Sequence, residues 1–320
     1  MDKTVGPFDT VTVFGGATLD RVARTDFPPV MAASNPGSVR RTPGGVGLNV
    51  ASVLARLGVA TRLVARVGAD SDGEAVIAAA RRAGIDPTAL GVSQSAPTAG
   101  YHATLDDTGN LVIGVADMKV CDEITPAMLA TLAIAKRAND LWVIEANLAA
   151  ETLAFLAEEA TAAGRPVAAM TVSPAKAVRL LPLLDRLTYL FANRREAATL
   201  LGYDPEERIG VTELAAELAG PRATAVVVTN GAEPLAAATG GEVRSFAPLR
   251  ATVTAVNGAG DSFAAGTIFG LANGMSLNDS VIFGLAAAAL TLESGGVAAA
   301  PFGKDALAER IGGGPHSVAR

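Results

Sequence analysis

The stretch Gly258-Ala259-Gly260-Asp261 holds the residues of this chain best suited to chemistry. Glycines ahead of a helix let backbone amides approach an anion, and the unpaired N–H groups of the first turn point at it, so a phosphate fits there. Asp261, in that same turn, can take a proton from an attacking hydroxyl while those amides hold the charge on the transferred group. The same residues would also serve as a tight turn with Asp261 as a helix cap, and the motif alone does not separate the two readings.

Three further groups have the right types. Asn193-Arg194-Arg195-Glu196 follows the strand-like Tyr189-Leu190-Phe191. An amide and a carboxylate three residues apart at a helix start can share a hydrated magnesium ion or phosphate oxygens, and they also spell a capping box. Thr42-Pro43-Gly44-Gly45-Val46-Gly47-Leu48-Asn49 precedes a helix. Its diglycine permits close approach to a polyol or hinges a flap, and Asn49 either meets hydroxyls or caps the helix. Asp20, just after the first strand, can grip paired sugar hydroxyls or simply be solvated. His102 sits on a hairpin that faces either solvent or the site, and His316 lies in the tail.

These residues need a scaffold that brings them together, and the pattern supplies one. Val11-Thr12-Val13-Phe14 reads as a strand ending in Gly15-Gly16. Residues 21–43 read as irregular, and Asn49 to Leu57 reads as a helix closed by Gly58. Strand and helix then alternate: strand 61–67, helix 72–83, strand 141–144, helix 151–163, strand 167–172, a short helix, strand 189–191, helix 194–201 and strand 225–229. That rhythm implies a mostly parallel sheet. Two runs joined by Asp106-Asp107-Thr108-Gly109 interrupt it as a hairpin, and a second antiparallel pair spans 235–238 and 243–246. Helices follow at about 260–273 and 277–293. The expected fold is an α/β domain over 1–312, an open, mostly parallel sheet with helices on both faces. A small β-rich lid comes from about 21–43 and 98–116, and 313–320 form a flexible tail.

Bulk properties narrow the function. Half of the 320 residues are apolar, enough for a sizeable core. A formal net charge of −6 argues against nucleic acid or an anionic membrane as partner, which leaves small molecules. Cys121 is the single cysteine, so no intramolecular disulfide forms, in keeping with a reducing cytoplasm. The first ten residues have no signal-peptide pattern, and Val281 to Leu292 is too short an apolar run to span a bilayer. No G-x-x-x-x-G-K-[ST] loop is present, nor a G-x-G-x-x-G after the first strand, so P-loop and dinucleotide chemistry are disfavoured.

Taken in order, Asp20, Gly44-Gly45 with Asn49, Asn193-x-x-Glu196 and Gly258-Ala259-Gly260-Asp261 resemble the ribokinase-like, PfkB-type family of sugar and nucleoside kinases over nearly the whole chain. The resemblance implies an ATP- and magnesium-dependent phosphotransferase acting on an alcohol group. Asp261 would be its base and Gly258, Ala259 and Gly260 its anion hole. It implies Asn193, Thr229, Gly231, Asn257, Gly258 and Gly260 for ATP, Glu196 and Asn193 for magnesium, and Asp20, Gly44, Gly45 and Asn49 for the sugar. Within the family, Ser34-Asn35-Pro36-Gly37, Leu105-Asp106-Asp107-Thr108-Gly109, Ala116-Asp117-Met118 and Val172-Ser173 with Lys176 look like pseudouridine kinases. That likeness implies transfer to the 5′-hydroxyl of pseudouridine, with Tyr101, Asp117 and Lys176 facing the base. The alternatives are another sugar or nucleoside kinase of the family, such as a ribokinase, fructokinase or ketodeoxygluconate kinase, or a sensor that kept the fold without catalysis.

Some positions depart from the family pattern. Ala255 stands where an acidic residue often helps to bind a monovalent cation, which argues against potassium activation. Met170-Thr171, Ala192 and Pro234 replace a frequent Asp-Pro, proline and glycine. The resemblance also implies a homodimer joined through the lid.

Overall fold

The computed structural model describes residues 7–132, 139–220 and 223–312. The chain begins with β1 (Thr10–Phe14), β2 (Thr18–Thr25), β3 (Gly37–Gly44), α1 (Val46–Arg56), β4 (Thr61–Gly68), α2 (Ser71–Arg82) and β5 (Leu90–Ser93). It continues through β6 (Gly100–Leu105), β7 (Leu111–Asp117), α3 (Pro126–Thr131), β8 (Asp140–Glu145), α4 (Ala150–Ala162), β9 (Val167–Met170) and α5 (Pro174–Ala177). Then come β10 (Tyr189–Asn193), α6 (Arg194–Leu201), α7 (Val211–Leu218), β11 (Ala225–Asn230), β12 (Glu233–Thr239) and β13 (Glu242–Phe246). The helices α8 (Ala259–Ala272), α9 (Leu277–Ser294) and α10 (Lys304–Gly312) close the chain.

Nine strands form one sheet in the order β13-β12-β11-β10-β9-β8-β1-β4-β5, parallel from β11 to β5 with an antiparallel edge. Strands buried on both faces are needed where helices cover both sides, and the period of two sorts their residues between two cores. Val11, Val13, Leu63, Leu141 and Val143 face the layer of α1, α8 and α9, while Phe14, Val64, Trp142 and Ile144 face that of α4, α6 and α7. Pro234 lies in the register shift opposite Val228 and Asn230, where its missing N–H disturbs no regular ladder.

The second sheet has the order β3-β2-β6-β7. Residues 21–43, expected to be irregular, hold most of β2 and β3 instead. Strand β3 is exposed nearly throughout and shows no apolar alternation, because its ladder to β2 holds it rather than a core. In that ladder Arg21 opposes Arg41, a like-charge pair that costs stability unless an anion joins them. Asp72, at the start of α2, does so: Arg21 Nη2 lies 2.5 Å from one oxygen, and Arg41 bonds the other.

Helix α1 starts at Val46, three residues before the position read from the sequence. Gly45 precedes it at φ 91° and offers no side-chain cap; instead the Leu48 N–H donates to Gly16 O at 3.1 Å. A Cβ on Gly45 would meet that same carbonyl at 2.7 Å, so only glycine lets α1 dock on the Gly15-Gly16 turn. Asn49 is therefore inside the helix, and its reading as a cap is overturned. Strand β9 ends at Met170 rather than Val172, while β5, α3, α7 and α10 were not foreseen. Residues 313–320, including His316, lie outside the described residues.

Candidate active site

The site forms at the carboxyl ends of the parallel strands, where loops after β1, β8, β9, β10 and β11 meet the start of α8. Gly258 takes φ 78° and is the residue before α8, with no side chain capping the helix. Asp261 is thus not a cap. Its Oδ2 accepts a hydrogen bond from Asn49 Nδ2 at 2.7 Å, across 212 residues of chain. A Cβ on Gly260 would meet nothing within 4 Å, which leaves room for an anion over the first-turn amides. Burial pushes the Asp261 carboxyl up to about 6; donation by Asn49 pulls it down, and the charges of Asp20 and Glu196 push it up again. Such a carboxylate is ionised near neutrality yet basic enough to take a proton.

A cavity of about 200 Å³ joins Asp261 and Gly260 to Asn193, Glu196 and Thr229. Asn193 and Glu196 do make a full capping box: Asn193 Oδ1 accepts from Glu196 N at 3.0 Å, and Glu196 Oε2 accepts from Asn193 N at 2.9 Å. The structural reading of this motif is correct, and it does not exclude the functional one, because among the described residues no hydrogen bond reaches Oε1 of Glu196. Thr171, one of the departures from the family pattern, is buried and donates its hydroxyl to Glu196 Oε2. The replacement therefore orients the acidic residue. Thr229 hangs its hydroxyl on Ala192 O at 3.5 Å.

Val172, beside Thr171 on the cavity wall, takes φ 68°, and Ser173 N donates to Thr171 O across it at 2.8 Å. A β-branched residue there is strained by about 1–3 kcal/mol, and such strain collects at ligand sites. No residue type in this stretch announces it.

Asp20 sits on β2 facing Gly44, where a Cβ would lie 2.6 Å from its Oδ2. It accepts from Thr18 Oγ1 at 2.7 Å and from Tyr101 N at 3.2 Å, and burial raises its proton affinity. Tyr101 packs its hydroxyl over Gly114 on the neighbouring strand, and His102 is exposed but near enough for its charge to act on Asp20. Asp117 accepts from Lys119 N at 3.3 Å, and Lys176 donates to Asn147 Oδ1. Tyr101, Asp117 and Lys176 do not line the cavity that holds Asp261. Gly231 takes φ 62° in the exposed turn after β11, and Asn257 is exposed just before the anion-binding turn.

One carboxylate escaped the sequence reading. Glu145, the last residue of β8, is fully buried and accepts from Gly16 N at 2.6 Å and from Asn147 N at 2.8 Å. Desolvation raises it to about 7, backbone donation and the Lys176 charge lower it, and the Asp261 charge raises it further. Its signal was present: Glu145-Ala146-Asn147 puts polar residues at the carboxyl end of an otherwise apolar strand.

An open α/β sheet with a small second sheet, an anion-binding helix start and a raised aspartate at its first turn define a phosphotransferase of the ribokinase-like fold. The chain belongs to the pfkB family carbohydrate kinases, whose model matches residues 9–302. It is 30% identical to a pseudouridine kinase of Escherichia coli over 89% of this chain and 90% of that protein. A carbohydrate kinase from Agrobacterium tumefaciens is 35% identical and superposes with a TM-score of 0.82, over 95% of this chain and 97% of that one. A ribokinase of Arabidopsis thaliana solved with ribose and ATP shares the fold at 22% identity and a TM-score of 0.82, over 95% and 99% of the two chains. Among the described residues no helix is long and apolar enough to cross a membrane. The protein is a sugar or nucleoside kinase.

Proposed function

We propose that this kinase transfers the terminal phosphoryl group of ATP to the 5′-hydroxyl of pseudouridine, with Asp261 as the catalytic base. The observation that supports it most is the Asp261 carboxylate, raised to about 6, held by Asn49 and set in the first turn of α8. Asp261 accepts the hydroxyl proton as the oxygen attacks, and the N–H groups of the first turn of α8 bind the charge on the phosphoryl oxygens. Asp20 orients the sugar hydroxyls, while Glu145 holds the Gly16 and Asn147 amides behind them. Lys176, Tyr101 and Asp117 read the base.

Among the described residues no cluster of three or more His, Cys, Asp or Glu could hold a metal. Magnesium keeps several waters and takes one or two carboxylates beside the phosphates. Glu196 and Asn193 would hold it through water, and it would neutralise charge between the phosphates. Potassium activation is not expected, because Ala255 stands where the family resemblance calls for an acidic residue.

Strand β7 exposes Leu111, Ile113 and Val115, each above half of its surface, and Val39 on β3 is 66% exposed. Apolar edge strands of this kind invite pairing, and we propose that a second copy of the chain covers them. Light scattering should return twice the chain mass; a monomer at assay concentration would refute this.

The function is tested by supplying ATP and magnesium with pseudouridine, uridine, ribose, fructose or ketodeoxygluconate. Pseudouridine should give the highest kcat/KM; preference for a free sugar would move the protein to another branch of the family, and no transfer to any acceptor would sink the kinase reading.

A further inference from the structure

Helix α1 reaches the catalytic turn once directly and once through a neighbouring segment. Asn49 holds Asp261 directly, and Arg56, seven residues later and so on nearly the same face, reaches the segment after α9. Arg56 Nη1 donates to Val297 O at 3.0 Å, Nη2 donates to Ala300 O, and the guanidinium lies over the Phe302 ring at 5.1 Å from its centroid. This segment leaves α9 through Gly295 at φ 80° and Gly296 at φ 118° and carries the buried Val297 back under the site. Val297 Cγ2 stands 2.5 Å from where a Cβ on Gly258 would be, so its side chain occupies the space beneath the anion-binding turn.

On its other side the turn is tied to α9: Thr254 donates its N–H and hydroxyl to Leu292 O, Ala255 N–H donates to the same carbonyl, and Ser262 Oγ accepts from Thr291 Oγ1 at 2.7 Å. Beneath Gly258 itself the contact is Val297, whose carbonyl accepts from a guanidinium of another element. Burial lowers the proton affinity of Arg56, the mark of a cation partly withdrawn from water for these carbonyls.

Resting on the kinase reading above, we infer that Arg56 is a positioning residue for phosphoryl transfer. Its guanidinium pins residues 297–302, and these seat Val297 against Gly258 so that the amides of 259–261 and the Asp261 carboxylate keep their transfer geometry. Two N–H groups aimed at two carbonyls with one face against a ring is a planar fork's task, which an ammonium cannot reproduce.

The test compares Arg56→Ala and Arg56→Lys with Arg82→Ala, an exposed residue of α2 that lines a surface groove together with Arg56 and Val297 but makes none of the proposed supporting contacts. Both Arg56 variants should lose about ten- to hundredfold in kcat, as a shift of the reacting groups by a fraction of an ångström does. KM for ATP and acceptor should stay within about threefold, since binding contacts remain. Added guanidinium ion should restore part of the Arg56→Ala rate where ammonium does not, and Arg82→Ala should keep the wild-type rate. Amide hydrogen exchange across 256–261 should speed up in Arg56→Ala and slow again with guanidinium. Wild-type kcat in Arg56→Ala, or a loss matched by lower folded fraction with unchanged exchange at 256–261, would overturn the inference. Should the wild-type protein phosphorylate no acceptor, the kinase reading alone fails, and the exchange measurement still decides whether Arg56 holds the turn.

Discussion

Strand β8 carries a buried carboxylate at each end, and the two are compensated differently. Asp140, at the amino end, accepts from Thr12 Oγ1 at 2.8 Å and Trp142 Nε1 at 3.0 Å, with Arg165 Nη1 at 3.8 Å and the charge of Arg62 nearby. Glu145, at the carboxyl end, accepts among the described residues from two backbone amides, and the cation whose charge acts on it is Lys176, itself bonded to Asn147. Burial raises both, yet only Asp140 sits among guanidinium groups that stay with it. The difference teaches where the protein keeps its charges fixed and where it keeps them able to exchange a proton. The amino edge of the sheet is closed by ion pairing, while the carboxyl edge holds Glu145, Asp20 and Asp261 as acids whose proton affinity burial has raised.

The largest effect should come at the carboxyl edge. Asp261→Asn should lower kcat by about a hundredfold or more, because the hydroxyl loses its proton acceptor, while the thermal midpoint stays at or above that of wild type. At the amino edge the order should reverse. Asp140→Asn removes the buried carboxylate oxygen that accepts from Thr12 and Trp142 beside Arg165, and should cost about 1–3 kcal/mol in denaturant unfolding with kcat nearly intact. A large kcat loss there, at full folding, would erase the contrast between the two ends.

The smallest effect has a sign that pH reveals. Glu145 binds its proton up to about 7 in the folded chain against an ordinary value of 4.5, so its contribution to stability falls as pH rises through that window. Glu145→Gln should therefore be more stable than wild type by about 1–2 kcal/mol at pH 8. The gain should fade as pH falls toward 4.5, where the folded carboxyl is protonated and the unfolded one half so. Equal pH dependence of the two proteins in urea titrations would show that Glu145 is not the group that titrates.

Much of this was legible in the sequence, for physical reasons that differ by residue. The parallel sheet followed from apolar runs whose alternate residues, such as Val13 and Phe14, enter opposite cores. Asp261, Asn193 and Glu196 were legible because a helix start must be built from local residues, and local spacing is what a sequence displays. Asn49 was half legible: its type suggested contact with a polar group, but its partner lies 212 residues away. Arg56 left no trace, since its acceptors are backbone carbonyls that any residue could supply. Strands β2 and β3 were legible only as part of a β-rich lid and not one by one, because backbone pairing, not an apolar stripe, defines them.

The most direct test is the pH dependence of single-turnover phosphoryl transfer in the wild-type protein and in Asp261→Asn. The wild-type rate should fall about tenfold per pH unit below about 6, where the Asp261 carboxylate takes up its proton, and Asp261→Asn should be at least about a hundredfold slower with that limb gone. A variant within about tenfold of wild type that keeps the same acid limb would contradict the assignment of Asp261 as the base.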